Sequence, residues 1–193
     1  MARSGHRYAQ SRCAGFGLTT AVAVTVSGCV QQGTGPDAAE LRNIAPWNIV
    51  PKSSPAQLVT AFRQFCVEAP ASRSAQEGKL RNASYVPTAP RNGNKPQVFL
   101  VDDRRPAIVV SDTTCMARAY ARTGQTEKMN DYVASAFPDA RPVSPDSLPK
   151  TFEQAWSVNL PDAAIIATER VNDLGNSSGY GLILHRPNRP RTN

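Results

Sequence analysis

Apolar residues recur at Leu58, Val59, Phe62, Phe65 and Cys66, which is the i, i+1, i+4, i+7, i+8 spacing of one helical face. Ser54 followed by Pro55 supplies an N-cap hydroxyl and a proline whose missing N–H does no harm in the first turn. A helix is therefore predicted from Ser54 until Pro70 stops it. Residues 71–95 are polar and aperiodic and read as a long loop, with a short strand near Ser84–Pro87. Gln97–Val101 and Ala107–Val110 are β-branched runs on either side of Asp102-Asp103-Arg104-Arg105-Pro106, the pattern of a hairpin with a charged tip. Cys115–Ala121 then alternates, setting Cys115, Ala117, Ala119 and Ala121 opposite Met116, Arg118, Tyr120 and Arg122. This reads as a third strand whose small-residue side lies beneath a helix and carries Cys115 toward Cys66.

A second helix opens at Gly124–Thr126, with Met129, Tyr132, Val133 and Ala136 at helical spacing before Pro138. Pro138, Pro142, Pro145 and Pro149 mark residues 138–150 as loop. Phe152–Leu160, Ala163–Val171 and Tyr180–His185 are further extended segments, the last two joined as a hairpin through residues 173–179. Together these elements predict an α+β domain with a mostly antiparallel sheet of five to six strands and two helices on one face. The domain is expected over residues 54–186, preceded by a Gly- and Pro-containing tether and followed by a basic Pro/Arg tail at 187–193.

The N-terminus follows a different logic. Residues 1–12 carry Arg3, Arg7 and Arg12 and no acid, while residues 13–28 carry no charge. That is a basic segment followed by an apolar one, as in an export signal. A helix of 16 such residues is about 24 Å long, short of a ~30 Å hydrocarbon core, so a permanent span is the poorer reading. The whole chain has 22 Lys and Arg against 15 Asp and Glu; removing residues 1–28 leaves 19 against 15, and +7 becomes +4. Part of the apparent basicity thus belongs to export.

Val26-Ser27-Gly28-Cys29 closes this segment and resembles the lipobox of bacterial lipoproteins: an aliphatic residue, two small residues and the acceptor cysteine. The resemblance covers the signal segment alone. It implies that residues 1–28 are removed, that Cys29 receives a diacylglyceryl group on sulfur and usually an acyl group on its new amine, and that residues 29–53 tether the domain to a membrane. Two or more acyl chains hold a protein stably where one holds it marginally. Within this family Asp after the cysteine often favours the inner membrane; Val30 stands here, which favours the periplasmic face of the outer membrane. The competing reading is an ordinary signal cut near Ala23, with Cys29 left free or paired.

Cys13 leaves with the signal, so the mature domain retains Cys66 and Cys115, expected to pair in an oxidising compartment. A redox pair or a metal site is disfavoured by their separation and by the lack of any Cys-x-x-Cys. Gly175-Asn176-Ser177-Ser178-Gly179 matches G-x-S-x-G, with Ser177 as nucleophile and His185 as base. That elbow needs strand, turn and helix, whereas Tyr180–His185 reads as a strand, so a small hydrolase is the alternative rather than the leading reading. His185 is the single histidine after residue 28. Asp102, Asp103 and Asp112 read as charges solvating a hairpin. No cofactor or metal motif is found, and no nucleic-acid motif.

Arg104, Arg105, Arg186, Arg189 and Arg191 are candidate contacts to an anionic surface. The function expected is thus a membrane-anchored envelope lipoprotein acting as a binding or structural module, with another envelope protein or an anionic envelope component as partner and no catalytic residue assigned; the alternative is a small hydrolase-like envelope enzyme using Ser177 and His185 or carboxylates.

Overall fold

The computed structural model describes residues 51–70, 72–144, 152–160, 162–171 and 178–187. Three helices and eight strands follow in the order α1 (Pro55–Phe62), α2 (Arg73–Asn82), β1 (Val86–Pro87), β2 (Gln97–Leu100), β3 (Ala107–Val110), β4 (Thr114–Tyr120), α3 (Gln125–Ala136), β5 (Arg141–Pro142), β6 (Phe152–Leu160), β7 (Asp162–Val171) and β8 (Gly179–His185). The strands form one antiparallel sheet of order β1-β2-β3-β4-β8-β7-β6-β5. Two meanders thus meet where β4 pairs with β8, and α3 links them.

The α+β class and the antiparallel sheet agree with the sequence pattern, but the described residues form eight strands rather than five to six and three α-helices rather than two. The short strand expected near Ser84–Pro87 is β1, whereas β5 lies in the stretch expected to be loop; it is a two-residue edge pair, too short to leave a period in the sequence. The extra helix, α2, lies within the stretch expected to be a loop. Ser72 caps it by accepting from the Ala75 amide, yet Leu80 is its one fully buried apolar side chain. Its inward face is polar, made of Arg73, Gln76 and Glu77, so hydrophobic periodicity could not reveal it.

All three helices bury their faces in one core on one side of the sheet. Leu58, Phe62 and Phe65 meet Leu80, Met129 and Val133 above Phe99, Ile108, Ala117, Ile166, Leu182 and Leu184. Ser54 caps α1 in a reciprocal box with Gln57. After Phe62 the helix widens into a π-helical turn, Arg63–Val67, closed by Glu68 N–H donating to the Arg63 carbonyl. This turn directs Phe65 and Cys66 into the core, and Cys66 is bridged to Cys115 on β4 with a Cα–Cα distance of 5.4 Å. The opposite side of the sheet carries a smaller cluster of Ala155, Ala167 and Ile183, with Met116, Val143, Phe152 and Ile165 around it.

Polar α2 is held by hydrogen bonds where an apolar helix would be held by packing. Arg73, 2% exposed, donates from Nε to Glu77 (2.9 Å), from Nη1 to Asp112 (3.1 Å) and from Nη2 to the Lys95 carbonyl (2.9 Å). Gln76 donates to the Phe65 carbonyl at 2.6 Å and Lys79 to the Gln64 carbonyl at 2.6 Å, tying α2 to the end of α1. Asp112 therefore serves this hub at the β3–β4 turn, away from the hairpin tip that holds Asp102 and Asp103.

Candidate functional site

Two places in the fold gather chemistry. The first is an open groove of about 540 Å³ between the C-terminal half of α3 and β6. Asn130, Val133, Ala134 and Phe137 form one wall, Pro138 and Ala140 the end, and Gln154 and Trp156 the floor. A β-bulge creates that floor. In the β6–β7 register Phe152 pairs with Glu169 and Gln154 with Thr168, so Glu153 is the inserted residue. Phe152 is thereby turned to the far-side cluster while Gln154 and Trp156 face α3. Without the bulge, residues 152, 154 and 156 would share one side.

The groove is aromatic, amide-bearing and uncharged. Phe137 packs edge-on against Tyr132, which packs edge-on against Phe62 of α1, so the wall is braced to the core. The side-chain Oε1 of Gln154 is buried and has no hydrogen-bond partner among the described residues. Behind it on β7 lies Thr168, and beyond that Tyr180 donates to Thr126 Oγ1 at 3.1 Å. Burial raises the Tyr180 phenol above its ordinary value and outweighs the opposing hydrogen bond with Thr126, so the phenol stays neutral. Such a site can stack, enclose and accept or donate hydrogen bonds through amides. Among its described lining residues there is no acid, base or nucleophile that titrates near neutral pH.

The second place is the β2–β3 tip. Asp102 Oδ1 accepts from the Arg104 and Arg105 amides at 2.9 and 2.7 Å, and Oδ2 accepts from Arg105 Nε at 2.7 Å. Burial would raise this carboxyl, but those bonds from Arg105 and Arg104 outweigh it and hold it below the usual carboxylate range. Arg105 also lies over the Tyr85 ring at 5.8 Å. The tip is thus a rigid turn with Arg104 projecting from it.

The chain joins the domain at this same tip. Tyr120 N–H donates to the Pro51 carbonyl (2.8 Å), Lys52 N–H to the Asp103 carbonyl (2.7 Å) and Ser53 Oγ to the Arg104 carbonyl (2.6 Å). Pro51 and Ser53, expected at the end of the tether, are buried.

The other candidate residues are dispersed. His185 sits half-buried at the end of β8, its Nδ1 3.2 Å from Thr114 Oγ1. Ser177, Arg189, Arg191 and Cys29 lie outside the described residues. Arg186 is no free tail charge: it donates to the Val67 carbonyl at 3.0 Å, pinning the end of β8 to the π-helical turn, and its burial lowers its proton affinity from the usual arginine value. Among the described residues no three His, Cys, Asp or Glu side chains gather into a metal-binding group, and no helix is long and apolar enough to cross a membrane. Sequence reasoning missed the groove because its floor depends on a one-residue bulge that no periodicity marks. Comparison of the chain with protein families, with curated proteins and with solved structures finds no match in any of the three.

Proposed function

We propose that this protein is a bacterial envelope lipoprotein, anchored through Cys29, that acts by binding an envelope component in the groove between α3 and β6. The observation that supports anchoring is the Cys66–Cys115 bridge. With Cys13 in the signal and these two paired, Cys29 is the one cysteine left, and it stands at the end of a lipobox-like segment. A paired cysteine couple also fits an oxidising compartment. A binding role is supported by the groove's described lining, an indole, a phenyl ring and two amides.

The intact mass of protein extracted from membranes with detergent, before and after reduction, tests the anchor. A chain beginning at Cys29 with acyl mass, gaining two hydrogens on reduction, is the expected result. An unacylated chain beginning elsewhere refutes it. A photo-cross-linking residue at Ala134 on the groove wall, compared with one at exposed Ala163 on β7, tests the binding surface. A discrete adduct from position 134 alone is expected, and equal yields from both positions refute the groove's role.

A further inference from the structure

We infer that the β2–β3 tip, together with the end of β4, is the face that this domain lays on an anionic lipid surface; the inference rests on the anchoring proposed above. Three independent observations converge on one end of the sheet.

First, the chain from Cys29 enters the described domain here. Residues 30–50 lie between Cys29 and Pro51, and the segment from Pro51 to Ser53 is held at the tip by hydrogen bonds with Tyr120, Asp103 and Arg104. With Cys29 anchored, this end of the domain is the one joined most directly to the membrane.

Second, this end is cationic. Lys52, Arg104, Arg105 and Arg122 are exposed here, with Asp102, Asp103 and, in the first turn of α3, Glu127 as the carboxylates at this end. Asp102 is spent on Arg105 and on closing the turn. Among the described residues, Lys52, Arg104 and Arg122 are paired with no carboxylate. Cations held at an anionic leaflet are attracted additively over a Debye length, with the largest effect where a tether already holds them near.

Third, Tyr120 is the one large exposed hydrophobic side chain among the described residues, at 37% exposure. It is fixed between Pro51 and Arg122, and its phenol suits the depth where headgroups meet acyl chains. An aromatic flanked by cations beside a lipid tether is a coherent headgroup-facing surface.

Lysine labelling on the lipidated mature protein tests this. Lys52 reports the proposed face, and exposed Lys95, whose carbonyl binds the Arg73 hub at the opposite end of β2, is the internal control. The protein is placed in nanodiscs containing phosphatidylglycerol or phosphatidylcholine alone and acetylated with an amine reagent. The Lys52 to Lys95 rate ratio is expected to fall several-fold on the anionic discs only, and to recover in high salt. The variant Arg104→Gln/Arg122→Gln removes two unpaired charges and is expected to weaken the contact by on the order of 25-fold, about five-fold per charge. Its melting should be unchanged.

Equal Lys52 reactivity on both discs, or protection of Lys95 instead, overturns the inference. The intact mass of the same sample separates the two claims. If Cys29 carries no acyl group the anchoring reading falls; the unanchored chain captured by anionic discs with Lys52 protected still upholds this face, and failure of capture overturns it too.

Discussion

Replacing Arg73 with Met should remove more stability than any other single change of similar size. The methionine keeps a flexible stem in the cavity but deletes the cation that Glu77 and Asp112 face. Glu77, with a side chain 5% exposed, then has Arg81 at 3.5 Å as its remaining partner, while Asp112 is a quarter exposed and can turn to water. Breaking a buried pair by removing one partner costs about 3–5 kcal/mol. The Arg81 contact and the exposure of Asp112 argue for the lower half, about 3–4 kcal/mol. For a domain of this size that corresponds to a melting point lower by roughly 10–15 °C. The assay is urea denaturation with the disulfide intact, read at equilibrium. A double variant, Arg73→Met/Glu77→Leu, removes both charges together and should recover at least about 2 kcal/mol of the sum of the two single losses. A single variant within about 1 kcal/mol of the parent, or a purely additive double, would refute the reasoning that a buried charge hub replaces apolar packing on α2.

Reduction of Cys66–Cys115, or Cys66→Ser, opens a loop of sequence separation 49 and should cost up to about 4 kcal/mol in the chain-entropy account; an unchanged denaturation midpoint would contradict it. Two glycines should respond to alanine with opposite signs. A Cβ at Gly181 would lie 3.0 Å from Met116 Sδ and Glu169 Cγ, so Gly181→Ala should destabilise by roughly 1–2 kcal/mol. Gly78, inside α2 with open space around it, should gain roughly 0.5–1 kcal/mol from the same change, and thermal melts of the pair decide the matter. Burial pushes the Tyr85 and Tyr132 phenols up to about 12, against the ordinary 10.0. A phenol held neutral in the fold stabilises it fully below its unfolded value, so stability should begin to fall as pH rises past about 10 and the contribution be lost through about 12. Tyrosinate absorbance that rises together with loss of circular dichroism is the expected signature; full ionisation of both phenols in a folded chain near pH 10 would refute it.

The helical faces around Met129 and around Leu58–Cys66, the hairpin at 102–106, and the inward position of Cys115, Ala117 and Ala119 were all legible because each is a local repeat of apolar residues at period 3.6 or 2. Helix α2 was not legible, since its buried face is Arg73, Gln76 and Glu77 and its partners lie at Phe65, Lys95 and Asp112. No window along the chain contains both halves of those contacts. The groove was hidden for a related reason. Trp156 and Gln154 appear in the sequence as ordinary strand residues, and the bulge at Glu153 that turns them toward α3 is decided by pairing with β7.

The sequence by itself determined the elements that need only their own neighbours: the capped first helix and the strand alternation. Tertiary structure alone decided which polar groups are buried, where Arg186 is spent, how β6 is turned, and that Pro51–Ser53 is held at the β2–β3 tip. Local propensity acts within a few residues, whereas hydrogen bonds such as those from Ser53 to Arg104 and from Arg186 to Val67 join positions 51 and 119 apart, and they exist only once the chain has closed on itself.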